Sequence, residues 1–356
     1  MHHKLLNQMF PFPGEKGERF RNEAAYRMFR ELFTEDEAAL GAQLSFAPES
    51  VEDIADRAGR SAEEIMPTLD KMADKGLVYA DEKNGKRRYC LLALFPGIAE
   101  LQFMKGEESA AKRRLAGIFE EFFELIAEDH YSHGTPIPRV LPVQSGVPPV
   151  LVLPYEQAST YINDSNYVAV STCFCRHQAK LMDRWCERPL EVCMTFGPFA
   201  KFVVKHGFGK HVSTEEALEI LDRSEEAGLV HLTENCQEKI NFICNCCGCC
   251  CYFMQGITKY DKPNCIATSN FLCAVDESSC VGCEECIERC YVKAISIVDE
   301  VARIDTDRCI GCGLCTLVCP NDAMSFVGRE EEVVPLKDSR ELRAAVASEA
   351  MQEAEG

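Results

Sequence analysis

Several features that usually reveal the class of a protein are missing from this sequence. No stretch approaches about 18 consecutive apolar residues, so we expect no membrane-spanning helix. The first 20 residues lack the apolar core and the small-residue cleavage site of a secretory signal, so we expect a cytoplasmic protein. There is also no G-x-x-x-x-G-K-S/T loop, the usual sequence signal for bound nucleotide phosphates.

Positive charge is scarce as well. The chain has 38 Lys and Arg against 57 Asp and Glu, which gives a net charge of −19. A protein this acidic repels phosphate backbones, so non-specific binding to nucleic acid is disfavoured. The length of 356 residues is enough for about two to three domains with conventional cores.

Cysteine is the residue in excess, and its distribution is uneven. The chain contains 22 cysteines, of which 21 follow residue 172; the exception, Cys90, is predicted to be an ordinary core thiol. In a reducing compartment, clustered cysteines are more often metal ligands than disulfide partners. We therefore interpret the C-terminal half as a metal-binding region.

The segment 34–98 carries the pattern of a winged helix-turn-helix. Capping signatures at Thr34, Ser50 and Ser61 each begin a predicted helix. Two predicted strands then flank an Asn-Gly dipeptide at 84–85, which is typical of a tight hairpin turn. Three helices followed by a hairpin is the order of a winged helix.

The last cysteines lie in an internal repeat with an offset of 29 residues, in which 275–298 aligns with 304–327. Each copy has three cysteines separated by two residues, and a fourth after three more. This spacing is the bacterial motif for a 4Fe–4S cluster, present twice. The first copy contains Cys280, Cys283, Cys286 and Cys290, and the second contains Cys309, Cys312, Cys315 and Cys319.

The fourth cysteine of each copy is expected to bind the cluster of the other copy. The predicted ligand sets are Cys280, Cys283, Cys286 and Cys319 for cluster I, and Cys309, Cys312, Cys315 and Cys290 for cluster II. Gly282 and Gly311 are predicted to let the two cluster-binding loops turn tightly. The segment resembles a two-cluster bacterial ferredoxin, except that Tyr291 stands where proline is usual. The resemblance implies two 4Fe–4S clusters that relay electrons.

Two further groups of cysteines precede this repeat. Four of them, Cys173, Cys175, Cys186 and Cys193, are predicted to bind a third iron–sulfur cluster, with zinc as the alternative. Arg176, directly after the Cys-x-Cys pair, is predicted to offset the negative charge of that cluster.

The run at 244–251 is denser still. Within it, Cys244, Cys247 and Cys250 repeat the three-thiolate spacing and indicate a fourth cluster. Candidates for its remaining ligand are Cys236, Cys265 and Cys273. Two alternatives stay open: these cysteines complete the site of Cys173, or adjacent cysteines bind a larger, non-cubane cluster. The sequence thus predicts one or two clusters besides the ferredoxin pair.

Taken together, these features resemble 4Fe–4S dicluster-domain proteins of anaerobic bacteria and archaea, and the resemblance covers most of 34–327. It implies electron transfer in anaerobic metabolism. We predict an α+β multidomain protein, with the following parts. They are an N-terminal extension and helix (1–33), a winged helix (34–98), a helix and proline-rich strap (99–165), a cysteine-rich α/β metal-binding domain (166–272), a ferredoxin-like two-cluster domain (273–330) and an acidic tail (331–356).

Three functional hypotheses follow. The first is an electron-transfer protein or subunit between a donor and a partner oxidoreductase; the second is a redox-sensing transcription regulator; the third is a reductase with a catalytic middle cluster. The would-be recognition helix separates the first two, because it carries a net charge of −2, from Glu63, Glu64, Asp70 and Asp74 against Lys71 and Lys75. A helix that reads the major groove favours basic and amide side chains. We therefore expect the winged helix to dock a protein or a second copy of the chain, and not DNA.

Overall fold

The computed structural model describes residues 1–12, 14–132, 134–144 and 153–355. The central part of the predicted proline-rich strap, at 145–152, lies outside the described residues. Across the described ranges, no helix is long and apolar enough to cross a membrane.

The N-terminal helices pack against one long helix further along the chain. They are α1 (His2–Met9), α2 (Gly14–Phe20) and α3 (Glu23–Leu32), and the long helix is α8 (Ala110–His130). The rings of Phe10 and Phe122 lie 5.8 Å apart, and Arg114 pairs with Glu31 at 2.8 Å. The sequence pattern predicted α3 and α8 but not the two short helices before them, since α1 has no side-chain cap to mark its start.

Residues 35–91 form three helices and a small antiparallel sheet with strand order β1-β3-β2. The elements are α4 (Glu35–Gly41), β1 (Glu49–Ser50), α5 (Val51–Ala58), α6 (Ala62–Asp74), β2 (Val78–Lys83) and β3 (Lys86–Leu91). The side chains of Thr34, Ser50 and Ser61 each accept a hydrogen bond from a first-turn backbone N–H, as their capping signatures predict. Only β1 was missed, because a strand of two residues has no detectable periodicity.

A six-stranded sheet forms the centre of the molecule, with strand order β4-β8-β10-β6-β5-β7. Its strands are β4 (Pro138–Leu141), β5 (Val168–Thr172), β6 (Glu191–Phe196), β7 (Lys210–Val212), β8 (Val230–Glu234) and β10 (Phe242–Cys246). The helices around it are α7 (Ala99–Phe103), α9 (Ala158–Asp164), α10 (Phe174–Leu181), α11 (Gly197–Lys205), α12 (Thr214–Glu226) and α13 (Tyr252–Thr258).

Every pairing in this sheet is antiparallel. The predicted α/β class of the middle domain is therefore corrected to α+β, since an α/β domain has a mainly parallel sheet. The sheet also extends beyond the predicted domain boundary, because β4 comes from the proline-rich segment. Pro138 is the first residue of this edge strand, a position where the missing N–H does little harm.

The C-terminal part contains two antiparallel strand pairs. Its elements are β11 (Phe271–Val275), α14 (Glu285–Arg289), β12 (Ile295–Val298), β13 (Val301–Ile304) and β14 (Met324–Gly328). Strand β11 pairs with β14, and β12 pairs with β13, so the two copies of the repeat interleave. In the predicted acidic tail, β15 (Leu336–Asp338) pairs in parallel with β9 (Cys236–Glu238), and α15 (Ser339–Glu355) follows.

Candidate metal centres

The predicted ligands of cluster I come together in space. Cys280, Cys283 and Cys286 line one cavity with Cys319, which lies 33 residues beyond Cys286 in the sequence. Interleaving of β11 to β14 brings Cys319 to the loop of the first copy. Four thiols around one cavity is the donor set that a 4Fe–4S cubane requires, so the residues fit the cluster.

Backbone N–H groups are already directed at the fourth cysteine of each copy of the repeat. Ala294 N–H donates to Cys290 Sγ at 3.2 Å, and Ala323 N–H donates to Cys319 Sγ at the same distance. The two alanines lie 29 residues apart, which is the offset of the repeat. Hydrogen bonds to ligand sulfurs are one of the factors that set the reduction potential of an iron–sulfur cluster.

Gly282 and Gly311 lie in tight turns of the two cluster-binding loops, as predicted from the sequence. Their φ angles are +65° and +68°, in the left-handed region that favours glycine. A Cβ on Gly282 would lie 2.6 Å from the carbonyl oxygen of Glu300, and one on Gly311 would lie 2.3 Å from that of Phe271. Both loops thus need glycine for close approach as well as for conformation.

The environment of cluster II contains a fifth thiol that the spacing did not assign to it. Cys309, Cys312, Cys315 and Cys290 lie close enough to influence one another electrostatically. In addition, the Sγ atoms of Cys273 and Cys315 lie 3.1 Å apart. Cys273 is equivalent to Ala302 in the other copy, so this thiol has no counterpart at cluster I.

The middle cysteines form two groups, and these differ from the groups that their spacing predicts. The first, which we name the four-thiol site, has all its Sγ atoms within 4.8 Å of one another. It consists of Cys186, Cys247, Cys249 and Cys250. Cys186 thus lies with the later cysteines and not with Cys173. Cys249 is also a member, although the pattern of cysteines separated by two residues did not include it.

The second group is a chain of contacts that we name the six-thiol group. Its members, in contact order, are Cys173, Cys175, Cys251, Cys246, Cys244 and Cys193. Cys244 and Cys246 share one face of β10 because side chains alternate along a strand. Cys193 lies on the neighbouring strand β6, with its Sγ atom 4.0 Å from that of Cys244. Cys246 and Cys247, although adjacent in sequence, therefore belong to different groups.

Neighbouring thiols in the six-thiol group shift one another's pKa values in opposite directions. A hydrogen bond from Cys193, together with one from Cys246, lowers the pKa of Cys244 to about 5. The same bonds raise the pKa values of both donors. Although burial opposes it, hydrogen bonds from Cys175 and Cys246 hold the pKa of Cys251 well below its ordinary value. Each of these thiols must lose its proton when it binds a metal.

Arg176 lies fully buried between the two groups. Its Nε donates to the Pro189 carbonyl and its Nη1 to that of Asn245, both at 3.0 Å. Although burial opposes the charged form, the thiolates of Cys173 and Cys247 raise the pKa of Arg176 above its ordinary value. Because these two cysteines belong to different groups, one guanidinium faces both.

Tyr291 joins the ferredoxin-like repeat to the four-thiol site. It follows the cluster II cysteine Cys290, and its hydroxyl donates to the Gly228 carbonyl at 2.6 Å. The guanidinium of Arg188 lies 5.5 Å from the centre of its ring. Its ring also covers Gly248, in the turn between two cysteines of the four-thiol site. The departure from proline was visible in the sequence, but this contact was not.

We expect Gly248→Ala to disrupt this contact. The added Cβ would lie 2.6 Å from the Tyr291 ring, so the ring must move, at a cost of about 1–3 kcal/mol in the free energy of unfolding. Removing the ring as well should recover part of that loss. Denaturant unfolding of the two single variants and of Gly248→Ala/Tyr291→Ala should therefore give a coupling energy of about 0.5–3 kcal/mol.

Gly117→Ala is the matched control, because a Cβ there meets nothing within 4 Å. It should not lower the free energy of unfolding. Strictly additive effects of Gly248→Ala and Tyr291→Ala would contradict the contact.

A family model described as a 4Fe-4S dicluster domain matches residues 273–326. No curated protein and no solved structure matches the chain. The matched residues contain all eight cysteines of the repeat, so this part of the chain is a ferredoxin-like dicluster domain. Together with the four-thiol site, the match indicates a metal-binding iron–sulfur protein suited to electron transfer.

Proposed function

We propose that the protein is an iron–sulfur electron-transfer protein or subunit, which relays low-potential electrons between a donor and a partner oxidoreductase in anaerobic metabolism. The observation that carries the proposal is the contact of the dicluster domain, through Tyr291, with a second group of clustered thiols. When bound, iron–sulfur clusters supply reversible one-electron transfer. The cysteines named above would hold them, and N–H groups such as those of Ala294 and Ala323 would stabilise the thiolates.

The surface next to cluster I is the favoured docking site for a redox partner. Cys283 is exposed, and the neighbouring Val281 is 63% exposed. Glu284 and Glu285 are exposed beside them. An apolar side chain with an acidic rim, close to a ligand thiol, suits a small basic patch on a partner protein. In contrast, the six-thiol group is almost entirely buried.

The direct test of the proposal is the iron content of anaerobically purified protein. We expect at least about 12 iron atoms per chain, about eight for the dicluster domain and about four for the four-thiol site. Chemical iron and acid-labile sulfide assays measure this, and EPR after reduction should show cubane signals. About eight iron atoms with one zinc would contradict an iron–sulfur centre at the four-thiol site.

The alternative is an iron–sulfur transcription regulator, because the helices and strands at 35–91 follow the order predicted for a winged helix. Both arginines of the β2–β3 hairpin are engaged, however. Arg87 pairs with Asp70 of the acidic helix α6, and Arg88 Nε donates to Asp81 at 2.8 Å. Arginines in ion pairs are less available to bind DNA phosphates, and binding of phosphates is what releases the counterions of DNA. We therefore retain the proposal that this segment docks a protein or forms a homodimer.

We expect no specific shift of DNA fragments from around the gene's own promoter at physiological salt. The acidic helix α6 and the net charge of −19 both oppose binding. A mobility-shift assay with oxidised and reduced protein checks this. Nanomolar binding that is lost when Lys86, Arg87 and Arg88 are all changed to glutamine would instead support the regulator.

A further inference from the structure

The six-thiol group has more sulfur ligands than an ordinary centre needs. A 4Fe–4S cubane takes four thiolates, and a structural zinc site also closes at four. We propose that the six-thiol group binds one iron–sulfur cluster with more than four iron atoms, distinct from the dicluster pair and from the four-thiol site. The proposal does not depend on the identity of the redox partner.

The first support is the way in which the fold assembles the group. Its members come from separate segments: the end of β5 and start of α10, the strand β6, the strand β10 and the start of α13. Strands β5, β6 and β10 are hydrogen-bonded neighbours in the central sheet. The sheet therefore fixes three of the four segments, and the thiols converge without depending on a flexible loop.

These thiols are buried, as Cys90 is at 6% exposure, but their neighbours differ from those of Cys90. Cys173, Cys175, Cys193, Cys246 and Cys251 are between 3% and 9% exposed. Cys90, by contrast, lies opposite Tyr79 on the β2–β3 hairpin and, among the described residues, has charged side chains, not thiols, nearby. The six thiols instead contact one another in an unbroken chain. Each of these thiols therefore has another potential ligand as its neighbour, as the cysteines of a cluster do.

The second support is the extent of the group. Among the described residues, only the four-thiol site has all its ligand atoms within 4.8 Å of one another. The six sulfurs make an extended chain of neighbours instead, too spread for a single ion. They are also two too many for a cubane. An extended set of six thiolates matches a cluster of higher nuclearity.

The third support is a buried donor that lies beside both this group and the four-thiol site. Arg176 is fully buried, and its Nη2 has no hydrogen-bond partner among the described residues. Two other nitrogens of the same guanidinium are held by the carbonyls of Pro189 and Asn245, so its orientation is fixed. Cys173 and Cys246 of this group lie within electrostatic range of it, as does Cys247 of the four-thiol site. A buried N–H without a partner suits the sulfur of a cluster.

The test compares paired variants of the full chain, purified anaerobically with ⁵⁷Fe. Cys193→Ala/Cys244→Ala removes two facing members of the six-thiol group, and Cys249→Ala/Cys250→Ala removes two members of the four-thiol site. Cys90→Ala is the control for loss of a buried thiol. Iron, sulfide and zinc are measured per chain, with Mössbauer spectra and with EPR of the dicluster domain.

We expect the first pair to lose more than about four iron atoms and the second pair to lose about four. A loss of about four from the first pair would indicate a cubane and overturn the proposal, as would a loss of zinc or of no metal. If the first pair does not fold, the wild-type count decides: more than about 16 iron atoms supports the larger cluster, and 16 or fewer overturns it. EPR reports the clusters of the dicluster domain separately. A result that overturns the larger cluster therefore does not by itself contradict the proposed electron transfer.

Discussion

Cys319→Ala is expected to remove cluster I and to leave cluster II in place. Although Cys319 follows Cys309, Cys312 and Cys315 in sequence, it lines the cavity of Cys280, Cys283 and Cys286. Loss of one of four thiolates should convert cluster I to a three-iron form or abolish it. EPR of the reduced and oxidised variant, with an iron assay, should show one cluster lost or converted and the second unchanged.

The matched variant is Cys290→Ala, which occupies the equivalent position in the first copy. It should damage cluster II, whose remaining ligands all lie in the second copy. The two variants should thus have opposite defects, each in the cluster that is farther away in sequence. If Cys319→Ala damages the cluster of Cys309, the crossover assignment is wrong.

This pair of sites illustrates what the sequence can predict. The two cluster-binding loops are short, and one repeats the other at a fixed offset. Both Gly282 and Gly311 have the left-handed φ that their turns require. The crossover of the fourth cysteine follows from a recurring motif, and therefore from local information. The helix caps at Thr34 and Ser213 were predictable for the same reason, since a capping box spans only four residues.

The middle cysteines show where local information fails. Cys186 and Cys193 are seven residues apart, yet only Cys193 lies on strand β6 beside Cys244. Pairing of β6 with β10 joins segments about 50 residues apart, and nothing in the spacing of the cysteines specifies it. The contact of Tyr291 with Gly248 has the same character, because it depends on how two parts of the chain pack. Spacing therefore selected most of the cysteines that come together in the two middle thiol groups, but not how they are divided between the groups.

Arg176→Met should have the largest effect in the middle of the molecule. The substitution keeps most of the apolar stem but removes the charge that faces Cys173 and Cys247. It also leaves the carbonyls of Pro189 and Asn245 without their donor. Removing one partner from a buried charged arrangement typically costs about 3–5 kcal/mol. We therefore expect the free energy of unfolding to fall by about that amount, and both middle thiol groups to lose iron.

Two matched variants separate charge from packing in this prediction. Arg139 is also buried, at 2% exposure, but its neighbours among the described residues include Tyr155 and Cys236, which belong to neither middle thiol group. Arg139→Met should thus destabilise the chain without lowering its iron content. Arg176→Lys keeps the charge but cannot donate to two carbonyls from a rigid fork, so it should retain iron better than Arg176→Met while remaining less stable than wild type. Equal iron contents in Arg176→Met and Arg139→Met would show that Arg176 supports the fold alone and has no part in holding the middle centres.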